Sequence, residues 1–155
     1  MAGWSSKIVG IVALALAAGG WFVAASAQEE SDDRAAIEAV LAGYAAAVAR
    51  SDIDGMAAHL DTSEDFSVIE GGHANWGWTD YRDHHLVPEF TSEDFRILDY
   101  GISDIRLHAG DKLAYAVYRY RIAAEVKSER RERTGLATAV LVKTSTGWKI
   151  RHLHS

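Results

Sequence analysis

The carboxy-terminal part of the sequence reads Gly147-Trp148-Lys149-Ile150-Arg151-His152-Leu153-His154-Ser155, which has the alternation of a β-strand. Successive side chains of a strand point to opposite faces, so every second residue shares a face. One face of this strand is therefore predicted to carry Trp148, Ile150, His152 and His154. A strand with apolar side chains on its inner face and two imidazoles near its end is typical of the wall of a pocket. The pattern predicts a binding site and does not identify its ligand.

The amino-terminal segment has the layout of a secretory signal peptide. Lys7 precedes an apolar run over residues 8–23, and Ala25-Ser26-Ala27 is a small-x-small cleavage pattern. We therefore expect residues 1–27 to be removed, which leaves residues 28–155 as one periplasmic or secreted domain without a membrane attachment. The alternative is an uncleaved membrane anchor, because the apolar run is close to the shortest length that spans a bilayer.

The composition sets limits on stability and partners. The chain has no cysteine, so its apolar core alone must hold the domain together in an oxidising compartment. The formal net charge is −6, and the basic residues of Glu129-Arg130-Arg131-Glu132-Arg133 are interrupted by acidic ones. Nucleic acid is therefore not an expected partner. This cluster is expected to form a solvated hairpin tip.

Helical periodicity marks the first half of the predicted domain. Ser31-Asp32-Asp33 offers a capping hydroxyl followed by acidic residues, and apolar residues then recur at three- and four-residue spacing. Asp52 is expected to cap a short second helix over residues 53–60. A third helix is expected over residues 79–86, capped by its first residue and ended by Pro88.

The remaining segments have the period of strands. Residues 66–70 form a predicted strand closed by two glycines, and residues 73–78 follow as an aromatic loop. Three long strands are predicted after this: residues 95–107 with a bend at Gly101, residues 113–126, and residues 134–143. Helices followed by a meander of strands predict an α+β fold. We expect a cone in which a long, curved, mainly antiparallel sheet wraps over the amino-terminal helices.

This arrangement resembles the nuclear transport factor 2-like superfamily, in its SnoaL-like branch. The resemblance covers residues 32–155 and is carried by the opening helix Ala35-Ala36-Ile37-Glu38-Ala39-Val40-Leu41, the long hairpin, and the closing strand from Gly147. The chain is also similar to the association domain of the calcium/calmodulin-dependent kinases, which has the same fold. The resemblance implies a cone that is open at one end.

Members of this superfamily have unrelated functions on one scaffold, among them polyketide cyclases, steroid isomerases, dehydratases and assembly domains. The cyclases and isomerases generally use an Asp with a His or Tyr inside the cone and no cofactor. The present sequence does not match a complete set of this kind, so the resemblance assigns no catalytic residue. It does imply a homodimer, because relatives commonly dimerise through the outer face of the sheet.

The third predicted helix has an aromatic and ionisable face. At about 100° per residue, this face carries Trp78, Tyr81, Arg82, His85 and Glu89, and His84 is turned away. Near the mouth of a cone, such a face could close over a ligand. The alternative is ordinary packing of the two aromatic residues beneath the sheet.

The histidines allow more than one chemistry. His152 and His154 lie about 7 Å apart along one predicted strand face. With His85 or His73 they would supply three nitrogen ligands for zinc or copper, although nothing in the spacing fixes the third ligand. Without a metal, His152 could serve as a general base with His85 as its partner. The remaining alternative is a polar rim without chemistry.

The long hairpin separates into two predicted faces. The inner face carries Tyr118, Tyr120, Ile122, Ala124 and Val126, and the outer face carries Tyr115, Val117, Arg119 and Arg121. The outer face, which mixes apolar residues with arginine, suits contact with a partner subunit. The expected pocket lining is Trp76, Trp78, Tyr81, Tyr118, Tyr120, Trp148 and Ile150, with the imidazoles of His85, His152 and His154.

Three functions are compatible with these patterns. The first is binding, or cofactor-free acid/base turnover, of a small hydrophobic or cyclic compound by an isomerase, cyclase or lyase. The second is a non-catalytic binding or assembly module. The third is a metal-binding protein that uses the histidines.

Overall fold

Helix α1 spans Val12–Ala49 as one element in the computed structural model, which describes residues 12–155, with side chains from residue 28 onward. The predicted helix start at Ser31 is therefore wrong. Ala, Gln and Glu residues flank this position and are strong helix formers, so the helix continues through it. The predicted signal peptide falls partly outside the described residues and partly on the portion of α1 without described side chains. In the described part of the chain, no helix is long and apolar enough to cross a membrane.

The carboxy-terminal half of α1 packs against the sheet through its apolar stripe, as the periodicity predicts. Ile37, Leu41, Tyr44 and Val48 are buried. Helix α2 spans Ile53–Ala57 and is shorter than expected. Its predicted cap is confirmed, because a carboxylate oxygen of Asp52 accepts a hydrogen bond from the Gly55 amide at 2.8 Å.

Six strands form one curved, open sheet in the order β2-β1-β6-β5-β4-β3. The strands are β1 (Ser67–Glu70), β2 (His73–Trp76), β3 (Phe95–Ala109), β4 (Leu113–Val126), β5 (Glu129–Thr144) and β6 (Gly147–His154). Only the pair of β1 and β6 is parallel among the strands described. The helices cover the inner face of the sheet, which confirms the predicted α+β cone.

The segment predicted as an aromatic loop is instead a strand. Strand β2 pairs antiparallel with β1, with Glu70 opposite His73. Gly71 and Gly72 connect the two strands with φ values of 56° and 85°. Both values lie in the left-handed region that glycine adopts without strain, and such a pair makes a tight hairpin turn. The two glycines therefore form a hairpin turn rather than closing a single strand.

The third predicted helix consists of three short parts: α3 (Trp78–Tyr81), a π-helical turn (Arg82–Leu86) and α4 (Val87–Phe90). Its cap position is Gly77 rather than Thr79. Pro88 does not end the helix, because it lies in the first turn of α4, where a missing N–H costs little. The amide of Val87 bonds to the Arg82 carbonyl, five residues earlier. This wider turn keeps the residues before and after it on one face.

Strand β3 bends at two irregularities rather than at Gly101. Its register with β4 shifts between Ile97 and Asp99 and again between Ser103 and Arg106. Gly101 itself is regularly paired with β4. Each bulge reverses the side-chain alternation, so apolar residues stay on the inner face along the whole strand.

The hairpin of β4 and β5 turns at Lys127 and Ser128, whose φ values are 51° and 64°. Two consecutive positive φ values are typical of the type I′ turn. Residues 129–133 therefore belong to β5 and not to a hairpin tip as predicted. The predicted inner and outer faces of β4 are confirmed: Tyr118 is buried, whereas Tyr115 and Arg119 are exposed.

Candidate functional site

A cavity of about 420 Å³ lies between the helices and the inner face of the sheet. The small side chains of Ala124 and Ala137 leave space where the sheet forms the wall of the cavity. Five tyrosines contribute to its lining, namely Tyr44, Tyr81, Tyr100, Tyr118 and Tyr120. Charged and histidine side chains also line it, namely Glu70, His85, Glu89, Arg131, Glu132, Arg133 and His154. A cavity with apolar walls and a few polar groups suits a small organic molecule.

Strand β6 does not direct His152 into this cavity as the alternation predicts. A register shift opposite Val140 and Leu141 leaves Arg151 as an extra residue between Ile150 and His152. Beyond this bulge the alternation is reversed, and Leu153 is buried in place of His152. Nδ1 of His152 lies 2.9 Å from the Ser67 hydroxyl.

Because Ser67 and Val68 point to opposite faces of β1, and Val68 lines the cavity, His152 lies on the outer face. The prediction that His152 faces the pocket is therefore wrong. His154 is exposed at the edge of the cavity, with its ring 6.3 Å from that of His152.

The predicted aromatic lining is only partly correct. Tyr81, Tyr118, Tyr120, His85 and His154 line the cavity. Trp78, Trp148 and Ile150 are buried in the core instead, and the side chain of Trp76 is on the surface with 69% exposure. Nε1 of Trp148 donates a hydrogen bond to Asp33 at 2.9 Å, which attaches β6 to α1. Trp78 and Trp148 therefore belong to the core of the fold and do not line the cavity.

His85 is the centre of the polar cluster at the cavity. Its Nε2 lies 3.5 Å from a carboxylate oxygen of Glu70 and 3.5 Å from one of Glu89. The π-helical turn places His85 and Glu89 on the face that Tyr81 shares, and the rings of Tyr81 and His85 are 5.1 Å apart. The sequence predicts this face correctly, but it does not identify Glu70, which comes from β1.

The buried side-chain amide of Asn75 contacts the other ring nitrogen of His85. Asn75 is only 3% exposed, and its Oδ1 lies 3.2 Å from Nδ1 of His85. Its Nδ2 donates to Asp80 at 3.2 Å, and the same carboxylate accepts from the Trp76 amide at 2.9 Å. Because an ionised carboxylate can only accept hydrogen bonds, Asp80 fixes the orientation of the Asn75 amide. The oxygen of Asn75 must then face His85, which places a proton on Nδ1.

The charges of the cluster determine the protonation of His85. Glu89 raises the pKa of His85 above its ordinary value, and Glu70 adds to this effect against the opposing influence of burial. Burial raises the pKa of Glu70, with a contribution from Glu89, while the charge of His85 opposes the shift. Hydrogen bonds from the Trp76 amide, His84 and Asn75 lower the pKa of Asp80. The charged form of His85 is thus favoured between Glu70 and Glu89. Of these two carboxylates, Glu70 has the raised pKa and binds a proton more readily than an ordinary carboxylate.

Four of the cavity tyrosines are hydrogen-bond donors at neutral pH. Burial raises the pKa of Tyr118 to about 12. Burial also raises the pKa of Tyr44, Tyr81 and Tyr100 above the ordinary value. Their hydroxyls therefore keep their protons and can stabilise a negative oxygen on a bound molecule.

The histidines proposed for a metal site do not come together. His85 lines the cavity, His152 lies on the outer face, and His73 is exposed at the start of β2. Among the residues that the structure describes, no group of three or more His, Asp or Glu side chains has an arrangement that could hold a metal ion.

The open curved sheet over helices, with a cavity between them, defines the cone of the nuclear transport factor 2-like superfamily. A family model of the SnoaL-like domain matches residues 37–155. The chain therefore belongs to the SnoaL-like domain family. No curated protein matches the sequence.

Solved structures of the superfamily share this fold. A nuclear transport factor 2-like protein from Salmonella enterica is 19% identical, with a TM-score of 0.71 over 81% of this chain and 90% of the other. A candidate dehydratase from Streptomyces avermitilis is 15% identical, with a TM-score of 0.67 over 80% and 95%. A ketosteroid isomerase-like protein from Erwinia carotovora is 20% identical, with a TM-score of 0.62 over 77% and 92%. At these identities the likeness concerns the fold alone.

Proposed function

We propose that this protein binds a small hydrophobic or cyclic compound in the cavity and catalyses a proton transfer on it without a cofactor. The observation that carries the proposal is the contact of His85 Nε2 with both Glu70 and Glu89 at the cavity. Groups whose pKa values are shifted by one another, and which share a cavity, are the usual components of acid/base sites. The isomerase and dehydratase descriptions of two structural neighbours support the same reaction class.

In this proposal Glu70 accepts the proton, because it lies at the cavity and gains protons more easily than an ordinary carboxyl. The imidazolium of His85 gives its Nε2 proton to a neighbouring atom of the bound molecule, and the proton that Glu70 has accepted then passes to Nε2 across the contact between these two groups. The tyrosine hydroxyls donate hydrogen bonds to the oxygen on which negative charge develops. Such a sequence of steps would isomerise a ketone, close a ring or eliminate water.

A test is hydrogen–deuterium exchange at the carbon next to the carbonyl of cyclic ketones. Tetralone, decalone and cyclohexenone would be incubated with the protein in heavy water and followed by NMR. We expect saturable exchange, faster than in buffer, for at least one of these ketones. Saturable binding of the ketones without any exchange would contradict the proposed catalysis and leave a non-catalytic binding module.

We also propose a homodimer that forms through the outer face of the sheet. Leu113, Tyr115 and Leu136 have exposures of 59%, 47% and 62% on adjacent strands of this face. Apolar side chains grouped in this way are typical of an interface. Leu136→Asp is expected to convert a dimer to a monomer in sedimentation velocity, whereas Thr134→Asp near the hairpin is expected to leave it intact. A monomeric wild-type protein would refute this proposal.

Export is a further part of the proposal, and it rests on the signal-peptide layout of residues 1–27. Expression of the full chain in a bacterial host should yield a periplasmic protein. Its amino-terminal sequence should begin at Gln28. Recovery of the uncleaved chain from the membrane fraction would favour the anchor alternative.

A further inference from the structure

We propose that the natural ligand is an organic acid whose apolar body fills the cavity and whose carboxylate binds Arg133. This inference rests on the proposed function, since it names the substrate class of the same cavity. It begins with strand β5, whose inner face changes character along its length.

The inner face of β5 is small and apolar in its second half and basic in its first half. Leu141, Ala139 and Ala137 are buried against the core. Arg133 and Arg131 continue the same face, since they pair with Ile122 and Ala124 on the inner face of β4. Both arginines line the cavity. A ligand in the cavity would therefore meet apolar side chains along its body and guanidinium groups at one end.

Gly135 lies between these two regions and makes room for the ring of Tyr120 against β5. A Cβ atom at this position would lie 2.6 Å from the Tyr120 ring and hydroxyl. The ring of Tyr120 thus lies directly over the backbone of β5, where it stacks on Tyr100 with an interplanar angle of 11°. A larger residue at position 135 would push this ring into the cavity next to Arg133.

Arg133 differs from the neighbouring arginines in its partners. Arg121 pairs with Asp99, Arg130 with Glu132 and Arg131 with Glu129, at 2.7 to 3.1 Å. Among the described side chains, Arg133 has no carboxylate within salt-bridge distance. Its five N–H donors are therefore free to bind a planar anion in a bidentate manner.

The location of Arg133 also connects the anion to the polar cluster. Arg133 and Glu70 line the same cavity. A carboxylate bound to Arg133 would hold the adjoining carbon atoms of the ligand beside Glu70 and His85. The bound carboxylate would thus fix the position of the carbon atoms that react.

The test compares two ligands of nearly equal shape, naphthoate and acetylnaphthalene, which differ in whether a carboxylate or a neutral ketone is attached to the ring. Calorimetric titration would measure both affinities for the wild-type protein, for Arg133→Gln and for Arg96→Gln. Arg96 is a matched control, because it lies on the outer face of β3 and pairs with Glu125. Both variants remove one positive charge.

We expect the wild-type protein to bind naphthoate about tenfold more tightly than acetylnaphthalene, a difference typical of a charge-assisted hydrogen bond. Arg133→Gln should abolish this preference by weakening naphthoate binding alone, and Arg96→Gln should preserve it. Three results would overturn the inference. The wild-type protein could bind both ligands with equal affinity, or the two variants could lose the same affinity for naphthoate. In the third case, Arg133→Gln would weaken the binding of both ligands equally. Absence of binding by either compound to the wild-type protein would refute the ligand-binding cavity itself, and with it the proposed function.

Discussion

His85→Gln is expected to lower the rate of ketone proton exchange by about a hundredfold or more, the range typical of a lost general acid or base. Glutamine can replace part of the contact with Asn75 and Glu89, so the fold should be retained. It has no group that gains or loses a proton near neutral pH. The measurement is the exchange rate followed by NMR, with circular dichroism as the check on folding.

The matched control is His152→Gln. The alternation along β6 predicts His152 as the base inside the cavity, whereas the bulge places it on the outer face. This variant should exchange protons at the wild-type rate. The opposite result, with His152 essential and His85 dispensable, would show that the cavity cluster is not the catalytic site.

The same variant has a predicted effect on stability that depends on pH. The hydrogen bond with Glu89 raises the pKa of His85 in the folded protein above its ordinary value of about 6.5, so the imidazolium stabilises the folded state. This contribution is complete below about 6.5 and is lost as the pH rises through the folded-state pKa. The wild-type protein should therefore exceed His85→Gln in melting temperature at acidic pH, and the difference should shrink towards alkaline pH.

Asn75→Ala is expected to destabilise the protein by about 2 to 3 kcal/mol, because it leaves His85 Nδ1 and one acceptor site of Asp80 without a partner. It should also lower the pKa of His85, since the acceptor that holds Nδ1–H is gone. Asn75→Asp should have the opposite effect on that pKa, because a second carboxylate favours the imidazolium. Chemical denaturation and an NMR titration of the His85 ring measure the two effects.

Ser67→Ala is the appropriate control for these variants. It removes a hydrogen-bond partner from His152 on the outer face, and should leave the His85 titration unchanged. If Asn75→Ala and Asn75→Asp shifted the His85 pKa in the same direction, the amide would affect His85 only through the local fold. The positioning role of Asn75 would then be wrong.

The parts of the fold that depend on local sequence are predicted well. The cap of α2 at Asp52, the limits of β4 and the division of β4 into inner and outer faces follow from side-chain chemistry and period-two alternation. The start of α1 is predicted at the wrong place. A residue that could cap a helix does not begin a new one where the residues on both sides of it also favour helix.

The site is predicted less well, for a physical reason. A bulge is determined by the partner strand and by contacts that are distant in sequence, such as the 2.7 Å ion pair between Arg151 and Asp61. The alternation of side chains along a single strand cannot reveal such a bulge. The π-helical turn is a similar case, although it keeps His85 and Glu89 on the face that the helical period assigns. Glu70 and Asn75 join the site only through the β1–β2 hairpin, whose pairing the sequence did not suggest.

The extra residue at Arg151 separates the length of the last strand from the faces of its side chains. Deletion of a single codon there would place His152 directly after Ile150 and restore simple alternation, with His152 still on the outer face and Leu153 still inward. The pairing of these two residues with Val140 and Ala139 fixes their faces, whatever the number of residues that precede them. Related cones could thus gain or lose one amino acid at this place in evolution and keep the same cavity wall.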